Sequence, residues 1–248
     1  MRHYGIIGYP LEHSLSASYF NELFAREGID AEYSLYPVDN GQWTMDNGRQ
    51  VRELLQRLDG ANITYPYKQQ VIPYLRQLDK SAEQIGAVNV VKQGVGYNTD
   101  YIGFVESMRD LIRPYDRRAL VLGTGGASLA VCHGLQALGI SSTRVSRTES
   151  TSILDYTMLD AAVMEAHTIV VNCTPLGMYP DVDSCPPIPY ELLTERHLLY
   201  DCVYNPEETL FLKQGKAQGA QTVNGLAMLI GQAQAAWEIW KGNYKELR

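Results

Sequence analysis

Two residues of this chain have types and spacing suited to proton transfer. Lys68 ends the run Asn62-Ile63-Thr64-Tyr65-Pro66-Tyr67-Lys68, and Asp100 ends Asn98-Thr99-Asp100 some thirty residues later. A lysine ammonium can donate a proton to a ketone oxygen while hydride reaches the carbon, and a nearby carboxylate keeps that lysine charged and oriented. The rigid aromatic segment Tyr65-Pro66-Tyr67 before Lys68 would limit access of water to its ammonium group. The other interpretation, an ordinary exposed lysine and an aspartate that serves only a turn, fits the spacing of Asp100 equally well.

A glycine-rich turn, Gly123-Thr124-Gly125-Gly126-Ala127, follows the apolar strand Ala119–Leu122 and precedes a helical pattern. Main-chain N–H groups at such a helix start can hold the pyrophosphate of a dinucleotide. The spacing departs from the usual G-x-G-x-x-G because Ser128 takes the sixth place, so the glycines alone fit a structural turn about as well. Arg147, near the end of the next strand, suits the 2′-phosphate of NADP, where an acidic residue would favour NAD. It could also be a solvated surface arginine, and Glu149 would partly oppose a phosphate.

Ser14 and Ser16 precede a helical pattern and present two hydroxyls near its start. Hydroxyls in that position can cap the helix or bind a carboxylate. The neighbouring His13 is a lone histidine near the start of a helix, and we interpret it as structural.

Composition narrows the class of protein. The chain has 248 residues, 45% of them apolar and 20% charged, with a net charge of −7. This predicts a globular protein of one large or two ordinary domains, and it argues against nucleic-acid binding. Because there is no run of eighteen apolar residues and no secretion signal, we expect a cytoplasmic protein without a membrane partner. The four cysteines have neither zinc spacing nor a disulfide pattern, so we expect reduced thiols and no metal.

Hydrophobic patterns predict an α/β fold in two parts. The first half alternates strands and helices, with a helix over 71–78 and a hairpin around Gln93-Gly94, which indicates a mixed sheet. The second half restarts the alternation at Ala119 with strands that end in polar loops, as in a parallel, Rossmann-like sheet. A long apolar helix, 226–240, ends the pattern.

Taken together, the ordered motifs resemble those of the shikimate dehydrogenase family from Gly8 to the last helix. The motifs that carry the resemblance are the Ser14-Leu15-Ser16 loop, Asn62 to Lys68, Gly86 to Asn89, Gly96 to Asp100, the glycine turn, Asn172 to Met178, Asp201 to Pro206, and Asn224-Gly225-Leu226 through Gln232. The resemblance implies a substrate-binding catalytic domain with a mixed, mainly parallel sheet, residues 1–102 completed by 225–248. A Rossmann-like NADP domain, 103–224, would complete the chain.

The resemblance also implies roles for individual residues. Lys68 and Asp100 would be the catalytic pair, Ser14 and Ser16 would bind the substrate carboxylate, and Tyr204 would lie near the substrate. The ring hydroxyls would contact four residues: Thr64, Asn89, Asp100 and Gln232. The cofactor would be held at the pyrophosphate by Gly123, Thr124, Gly125, Gly126 and Ala127, at the ribose phosphate by Ser146, Arg147 and Thr148, and on the nicotinamide side by Gly225 and Met228.

The implied activity is reversible NADPH-dependent reduction of 3-dehydroshikimate to shikimate in chorismate and aromatic amino acid biosynthesis, by a monomer or homodimer and without a metal. Three departures from the family pattern concern Ala17, which replaces a proline, Ser146, which replaces an asparagine, and a missing second basic residue after Arg147. The last two weaken the preference for NADP. Two alternatives therefore stay open: a quinate/shikimate dehydrogenase that uses NAD or NADP, and a non-catalytic dinucleotide or metabolite sensor on the same fold.

Overall fold

The chain divides into two compact units. The computed structural model describes residues 1–38, 45–147 and 150–243. One unit comprises Met1–Thr99 together with Ala233–Arg248, and the other comprises Asp100–Gln232. Within the described ranges, no helix combines the length and the apolar character that crossing a membrane requires.

The first unit is built on a six-stranded mixed sheet with the strand order β2-β1-β3-β5-β6-β4. Its strands are β1 (Arg2–Gly8), β2 (Ala31–Pro37), β3 (Gly60–Ile63), β4 (Gln77–Leu78), β5 (Val90–Lys92) and β6 (Val95–Tyr97). Its helices before residue 100 are α1 (Ser16–Glu27), α2 (Met45–Arg57) and α3 (Lys80–Ile85). β1 pairs in parallel with β2 and β3, whereas β5 runs antiparallel to β3 and β6. The predicted mixed sheet is confirmed.

Local chain chemistry explains one correct and one wrong prediction in this unit. Gln93 and Gly94 have positive φ values of 49° and 76°, which is the backbone of a two-residue hairpin turn. The predicted hairpin is confirmed there. The predicted helix over 71–78 is wrong, because only Ile72–Tyr74 form a short 3₁₀ helix and Gln77–Leu78 pair with β6 as strand β4. Pro73 cannot donate an N–H in a helix interior, which disfavours a longer helix there.

The second unit is built on a six-stranded sheet with the order β12-β11-β10-β7-β8-β9, in which every pairing is parallel. Its strands are β7 (Arg118–Leu122), β8 (Ser141–Ser146), β9 (Ile153–Asp155), β10 (Ile169–Asn172), β11 (Leu198–Asp201) and β12 (Gln221–Val223). The remaining helices are α4 (Asp100–Met108), α5 (Gly126–Ala137), α6 (Ala161–Ala166), α7 (Leu210–Ala217) and α8 (Leu226–Lys241). This is the predicted Rossmann-like arrangement.

Strands of the second sheet are apolar on both faces, as expected for a parallel sheet covered by helices. On β7, Ala119 and Val121 pack in one core cluster with Phe104 of α4. Leu120 and Leu122 point to the other face and pack in a second cluster with Phe211 of α7. Alternation with a period of two thus divides one continuous apolar run between two layers.

Helix α8 belongs to both units. Its last turns complete the core of the first, where the Trp240 ring stacks on Tyr4 with centroids 4.9 Å apart. The Trp240 indole N–H donates to the main-chain oxygen of Val91 at 3.3 Å. Its first turns lie in the second unit against α4. A methyl group on Gly103 of α4 would approach the Gln232 nitrogen to 2.7 Å, so glycine permits this close helix crossing.

Candidate functional site

Two loops of the first unit lie side by side at the carboxyl ends of β1 and β3. The Tyr9 N–H donates to the Tyr65 main-chain oxygen at 2.9 Å, and the Thr64 N–H donates to Ile7 at 2.9 Å. A side chain on Gly8 would overlap the Thr64 methyl group and lie 2.9 Å from the Tyr65 oxygen. Gly8 therefore allows the serine loop and the lysine loop to meet.

Lys68 lies in the loop that follows β3 and is held there by its neighbours. Its main-chain oxygen accepts from the Val88 N–H at 2.8 Å. The adjacent Tyr67 is fully buried and donates its hydroxyl to the Val38 oxygen at 2.7 Å. Tyr65, by contrast, is 65% exposed. Tyr67 is therefore anchored in the core, and the half-buried Lys68 is the next residue of the chain.

The segment that leads into Asp100 is fixed by buried amides. Asn89 donates to the Thr99 hydroxyl at 3.0 Å and accepts from the Thr99 N–H at 2.6 Å. Asn98 donates to the Ala87 oxygen at 2.9 Å, and both Asn98 and Thr99 are fully buried. Asp100, itself 6% exposed, is the first residue of α4. The chain thus presents Asp100 from a rigid support.

Ser14 and Ser16 differ in their surroundings. Ser16 is the first residue of α1 and is buried, whereas Ser14 is half-buried. The Ser16 N–H donates to the Ser14 side-chain oxygen at 3.4 Å, and Leu15 at the N-cap position provides no side-chain cap. Ser14 therefore acts as a partial cap, and the first turn of α1 remains suited to an anion.

Gln232 lies at the crossing of α4 and α8 in the second unit. It is 9% exposed, and its side-chain nitrogen donates to the Leu229 oxygen at 2.9 Å. Asp100 lies one turn before Gly103, on the same side of α4 as the crossing. The fold thus brings these two predicted hydroxyl contacts to one helix pair.

The glycine turn has the backbone that a dinucleotide needs. Gly123 has a φ of +111°, and a methyl group there would lie 3.3 Å from the Cys173 oxygen. Gly125 is the N-cap of α5, provides no side-chain cap, and has no atom within 4 Å of the position of an added methyl group. Among the described residues, no side chain therefore covers the position beside Gly125 at the start of α5. This cradle fits a pyrophosphate group.

Other predicted cofactor residues follow β8. Ser146 is its last residue, and Arg147 is exposed immediately after it. The charge of Arg147 lowers the pKa of Tyr156, although burial raises that pKa to about 12 overall. Arg147 thus places a positive charge at this strand end, where the sequence predicts a 2′-phosphate contact. Thr148 lies outside the described residues.

Asp201, which ends β11, is a buried carboxyl group that sequence reasoning placed in a motif without giving it a role. It accepts hydrogen bonds from the Asn172 side chain at 2.9 Å, the Val203 N–H at 3.0 Å and the Thr209 hydroxyl at 2.6 Å. Burial raises its pKa to about 6, although these hydrogen bonds act in the opposite direction. Asp201 therefore ties the loops after β10 and β11 to the start of α7.

Three predicted residues lie in the chain after β11. A methyl group on Gly225 would lie 3.0 Å from the Asp201 main-chain oxygen, so the start of α8 rests on the end of β11. Tyr204 is half-buried in the loop after β11. Met228 is 7% exposed and packs in the core cluster that contains Phe104.

Sequence reasoning missed the polar residues that support the site. Tyr33 is the one buried residue of β2, Asn62 lies inside the buried strand β3, and Thr99 is fully buried beside Asn89. A buried asparagine within a short apolar strand is itself a signal, because its amide needs partners. Among the described residues, no three His, Cys, Asp or Glu side chains are grouped as a metal ion would require.

Known proteins resemble this chain over most of its length. The sequence family described as the shikimate dehydrogenase substrate binding domain matches residues 6–91. A shikimate dehydrogenase (NADP(+)) of Desulforamulus reducens is 36% identical, covering 96% of this chain and 89% of its own length. The enzyme of the same name from Methanococcus aeolicus is 38% identical, covering 96% of this chain and 91% of its own length.

A solved structure shows the same likeness in three dimensions. It is the shikimate 5-dehydrogenase of Thermus thermophilus in complex with NADP(H) and shikimate, 29% identical to this chain. The superposition has a TM-score of 0.84 and covers 98% of this chain and 94% of that one. The likeness therefore extends over both units.

Proposed function

Because the chain belongs to the shikimate dehydrogenase family, we propose that it is an NADP-dependent oxidoreductase that interconverts 3-dehydroshikimate and shikimate. This reaction is a step of chorismate and aromatic amino acid biosynthesis. The observation that carries the proposal is the match to relatives named shikimate dehydrogenase (NADP(+)) over 96% of the chain. The glycine turn and the exposed Arg147 add the means to bind that cofactor.

We assign the substrate to the domain formed by residues 1–102 with 225–248, and the cofactor to residues 103–224. The division into two compact units, one with a mixed sheet and one with a parallel sheet, supports this assignment. The carboxyl ends of the strands in each sheet carry the loops to which we assign binding roles.

Catalysis in this proposal rests on Lys68 with Asp100 as its carboxylate partner. NADPH, when bound, supplies the hydride for the ketone carbon. Lys68 donates a proton to the ketone oxygen and stabilises the negative charge that develops there. Asp100 positions the donor and the substrate. The anchored Tyr67 and the Asn89–Thr99 hydrogen bonds restrict the main chain beside each member of the pair.

We assign substrate binding to polar side chains of the loops and helices described above. Ser14 and Ser16, with the first turn of α1, would hold the carboxylate group. Thr64, Asn89, Asp100 and Gln232 would contact the ring hydroxyls, with Tyr204 near the ring. The burial of Asn89, Asp100 and Gln232 supports this assignment. A buried polar group is left unpaired by a substrate that lacks the matching hydroxyl, so such a site strongly prefers the substrate that carries it.

We assign cofactor binding to the main chain of the glycine turn, Gly123, Thr124, Gly125, Gly126 and Ala127, and to the end of β8. The first turn of α5 would face the pyrophosphate, and Ser146, Arg147 and Thr148 the ribose phosphate. Gly225 and Met228 would lie on the nicotinamide side. The open space at Gly125 and the charge of Arg147 support this order along the cofactor.

The direct test is the absorbance of reduced nicotinamide, followed for shikimate and quinate, each with NADP and NAD. We expect rapid reduction of NADP by shikimate alone. Comparable rates with quinate or with NAD would instead identify a quinate/shikimate dehydrogenase. If folded protein gives no reduction in all four mixtures, the proposal is wrong, and a sensor on the same fold becomes the better explanation.

A further inference from the structure

A chain of hydrogen bonds between buried polar side chains crosses the sheet of the first unit. The Tyr33 hydroxyl of β2 donates to the Asn62 side-chain oxygen of β3 at 2.7 Å. The Asn62 side-chain nitrogen then donates to the Asn89 main-chain oxygen at 3.1 Å. Asn89 continues the chain to the Thr99 hydroxyl at 3.0 Å. β1 lies between β2 and β3, so the first link spans a whole strand.

The directions of these bonds follow from the amide of Asn62. Because its nitrogen donates to Asn89, its oxygen faces Tyr33, and the single hydroxyl proton of Tyr33 must point towards Asn62. The Tyr33 oxygen can then only accept a further bond. Ser16 lies one turn before Phe20 on the same side of α1, and the Phe20 ring stacks on the Tyr33 ring, which places Ser16 beside Tyr33. Burial raises the pKa of Tyr33 well above its ordinary value, and a side-chain hydrogen bond with Ser16 offsets part of that rise.

We propose that Tyr33 is a positioning residue of the substrate site, whose hydroxyl links Ser16 to Asn62, and through Asn62 to Asn89 and Thr99. The inference rests on the proposed function, in which Ser16 and Asn89 contact the substrate. Tyr33 itself is 2% exposed, so it acts through its neighbours. Its effect is to fix the groups for the carboxylate and for the ring hydroxyls with one hydrogen-bonded chain.

The Tyr33 ring and main chain are held without the hydroxyl group. The Phe20 ring stacks on the Tyr33 ring with centroids 4.7 Å apart and an interplanar angle of 14°. The Asn21 side chain donates to the Tyr33 main-chain oxygen and accepts from the Tyr33 main-chain N–H, both at 2.9 Å. Phenylalanine at position 33 would therefore keep the packing and remove only the polar link.

The test is Tyr33→Phe, with steady-state kinetics for shikimate and NADP and a thermal unfolding curve. We expect the KM for shikimate to rise about fivefold to thirtyfold, because a buried hydrogen-bonded link is lost and the Asn62 oxygen loses its donor. We expect the KM for NADP to stay within about twofold and kcat to fall less than about threefold. A purely structural role would lower the unfolding temperature without raising the KM for shikimate relative to the KM for NADP.

Tyr4→Phe is the matched control. Tyr4 is a buried tyrosine of the same aromatic cluster, it stacks on Trp240, and it lies outside the hydrogen-bonded chain from Tyr33 to Thr99. We expect it to change neither KM by more than about twofold. If Tyr33→Phe behaves like this control, or raises both KM values equally, Tyr33 does not position the substrate site.

A second pair of variants tests the other end of the chain and replaces Tyr33→Phe if that protein does not fold. Thr99→Val removes the hydroxyl that Asn89 bonds, and Thr99→Ser restores a hydroxyl. We expect the valine variant to raise the KM for shikimate and the serine variant to stay within about threefold of wild type. Equal values for the two variants would overturn the proposal.

The proposed function is tested separately, on the wild-type protein. If the wild type neither reduces NADP with shikimate nor binds shikimate by calorimetry, both proposals fall. If it does both and Tyr33→Phe binds shikimate as tightly as wild type, only the role of Tyr33 is overturned.

Discussion

The two units present polar groups to their proposed ligands in different ways. In the first unit, buried side chains in or beside separate strands form the support, as in the bonds from Tyr33 to Asn62 and from Asn89 to Thr99. In the second, the glycine turn presents main chain to open space at Gly125. A site made of side chains can discriminate one hydroxyl of a substrate, whereas a site made of main chain recognises the phosphate group that all dinucleotides share.

This difference has an energetic basis. Buried amides and hydroxyls are costly unless each finds a partner, so one deletion in such a network leaves other groups unpaired. A main-chain cradle has no side chain to delete, and it is sensitive instead to the addition of a Cβ atom or to a change of backbone conformation. We therefore expect substitutions in the first unit to alter substrate constants, and substitutions at the turn to alter cofactor constants.

The largest effect should come from Lys68. For Lys68→Ala we expect kcat to fall by about a factor of 10² to 10⁴, because the proton donor is lost, while the KM for shikimate changes little. Stopped-flow absorbance of reduced nicotinamide measures the turnover. Lys80→Ala, at an exposed position of the same unit, is the control and should retain wild-type constants. Near-native turnover in Lys68→Ala would remove Lys68 from the mechanism.

Asp201 tests whether the second unit also depends on a side-chain network. Its pKa is about 6 in the folded protein against an ordinary 3.8, so the folded state binds the proton more tightly. The contribution of the raised pKa to the free energy of unfolding is therefore fully present below about pH 4, and it is lost as the pH rises through about 6. Two pKa units correspond to about 3 kcal/mol of unfolding free energy.

Asp201→Asn should remove that pH dependence. The amide oxygen can accept from Asn172 and Val203, and the amide nitrogen can donate to the Thr209 hydroxyl. In urea unfolding, the free energy of unfolding of the variant relative to wild type should be about 2 kcal/mol higher at about pH 8 than at about pH 4.5. Burial lowers the pKa values of His133 and His167, which act in the opposite sense but equally in both proteins. Parallel pH profiles would contradict the prediction.

Arg147 is the side chain on which the preference for NADP depends. For Arg147→Ala we expect the KM for NADP to rise about 10- to 100-fold, because a charge-assisted bond to the 2′-phosphate is lost, while the KM for NAD stays the same. Arg117→Ala, an exposed arginine before the start of β7, is the matched control. A KM for NADP unchanged from wild type would make Arg147 a solvated surface residue.

The smallest effects should separate two glycines of the turn. Gly123 has a φ of +111°, so Gly123→Ala should lower the free energy of unfolding by about 1–2 kcal/mol. Gly125 has an ordinary φ of −77° and open space beside it, so Gly125→Ala should change stability by less than about 0.5 kcal/mol. The added methyl group should instead raise the KM of NADP and NAD alike. Unchanged cofactor constants in Gly125→Ala would argue against a main-chain cradle.

Local signals in the sequence predicted the elements that depend on few neighbours. Gln93-Gly94 predicted the hairpin, and the glycine turn lies between a strand and a helix as its pattern indicates. The segment 71–78 was misread because its apolar residues fit a helix, whereas pairing of β4 with β6 depends on residues distant in sequence. The roles assigned to Lys68, Asp100 and the serine loop stay predictions until variants are measured.

Support from distant residues is what the sequence could not predict. Tyr33 and Asn62 match an apolar strand and a polar loop motif when read singly, and only the sheet brings the two side chains within 2.7 Å. Asp201 likewise looks like the end of a strand, and its pKa depends on Asn172 and Thr209. Networks of this kind have no period along the chain, so hydrophobic patterning does not register them.

The position of α8 has a consequence for synthesis on the ribosome. The first unit uses Ala236, Trp237 and Trp240 in the same core cluster as Tyr4, and Gly60 has no room for a side chain against the Trp240 ring. The emerging segment 1–99 thus lacks the aromatic residues that close its core until the whole second unit has been translated. The second unit, contiguous from Asp100 to Gln232, requires no such wait. We therefore expect the domain made second to finish folding first, reversing the usual order along a nascent chain.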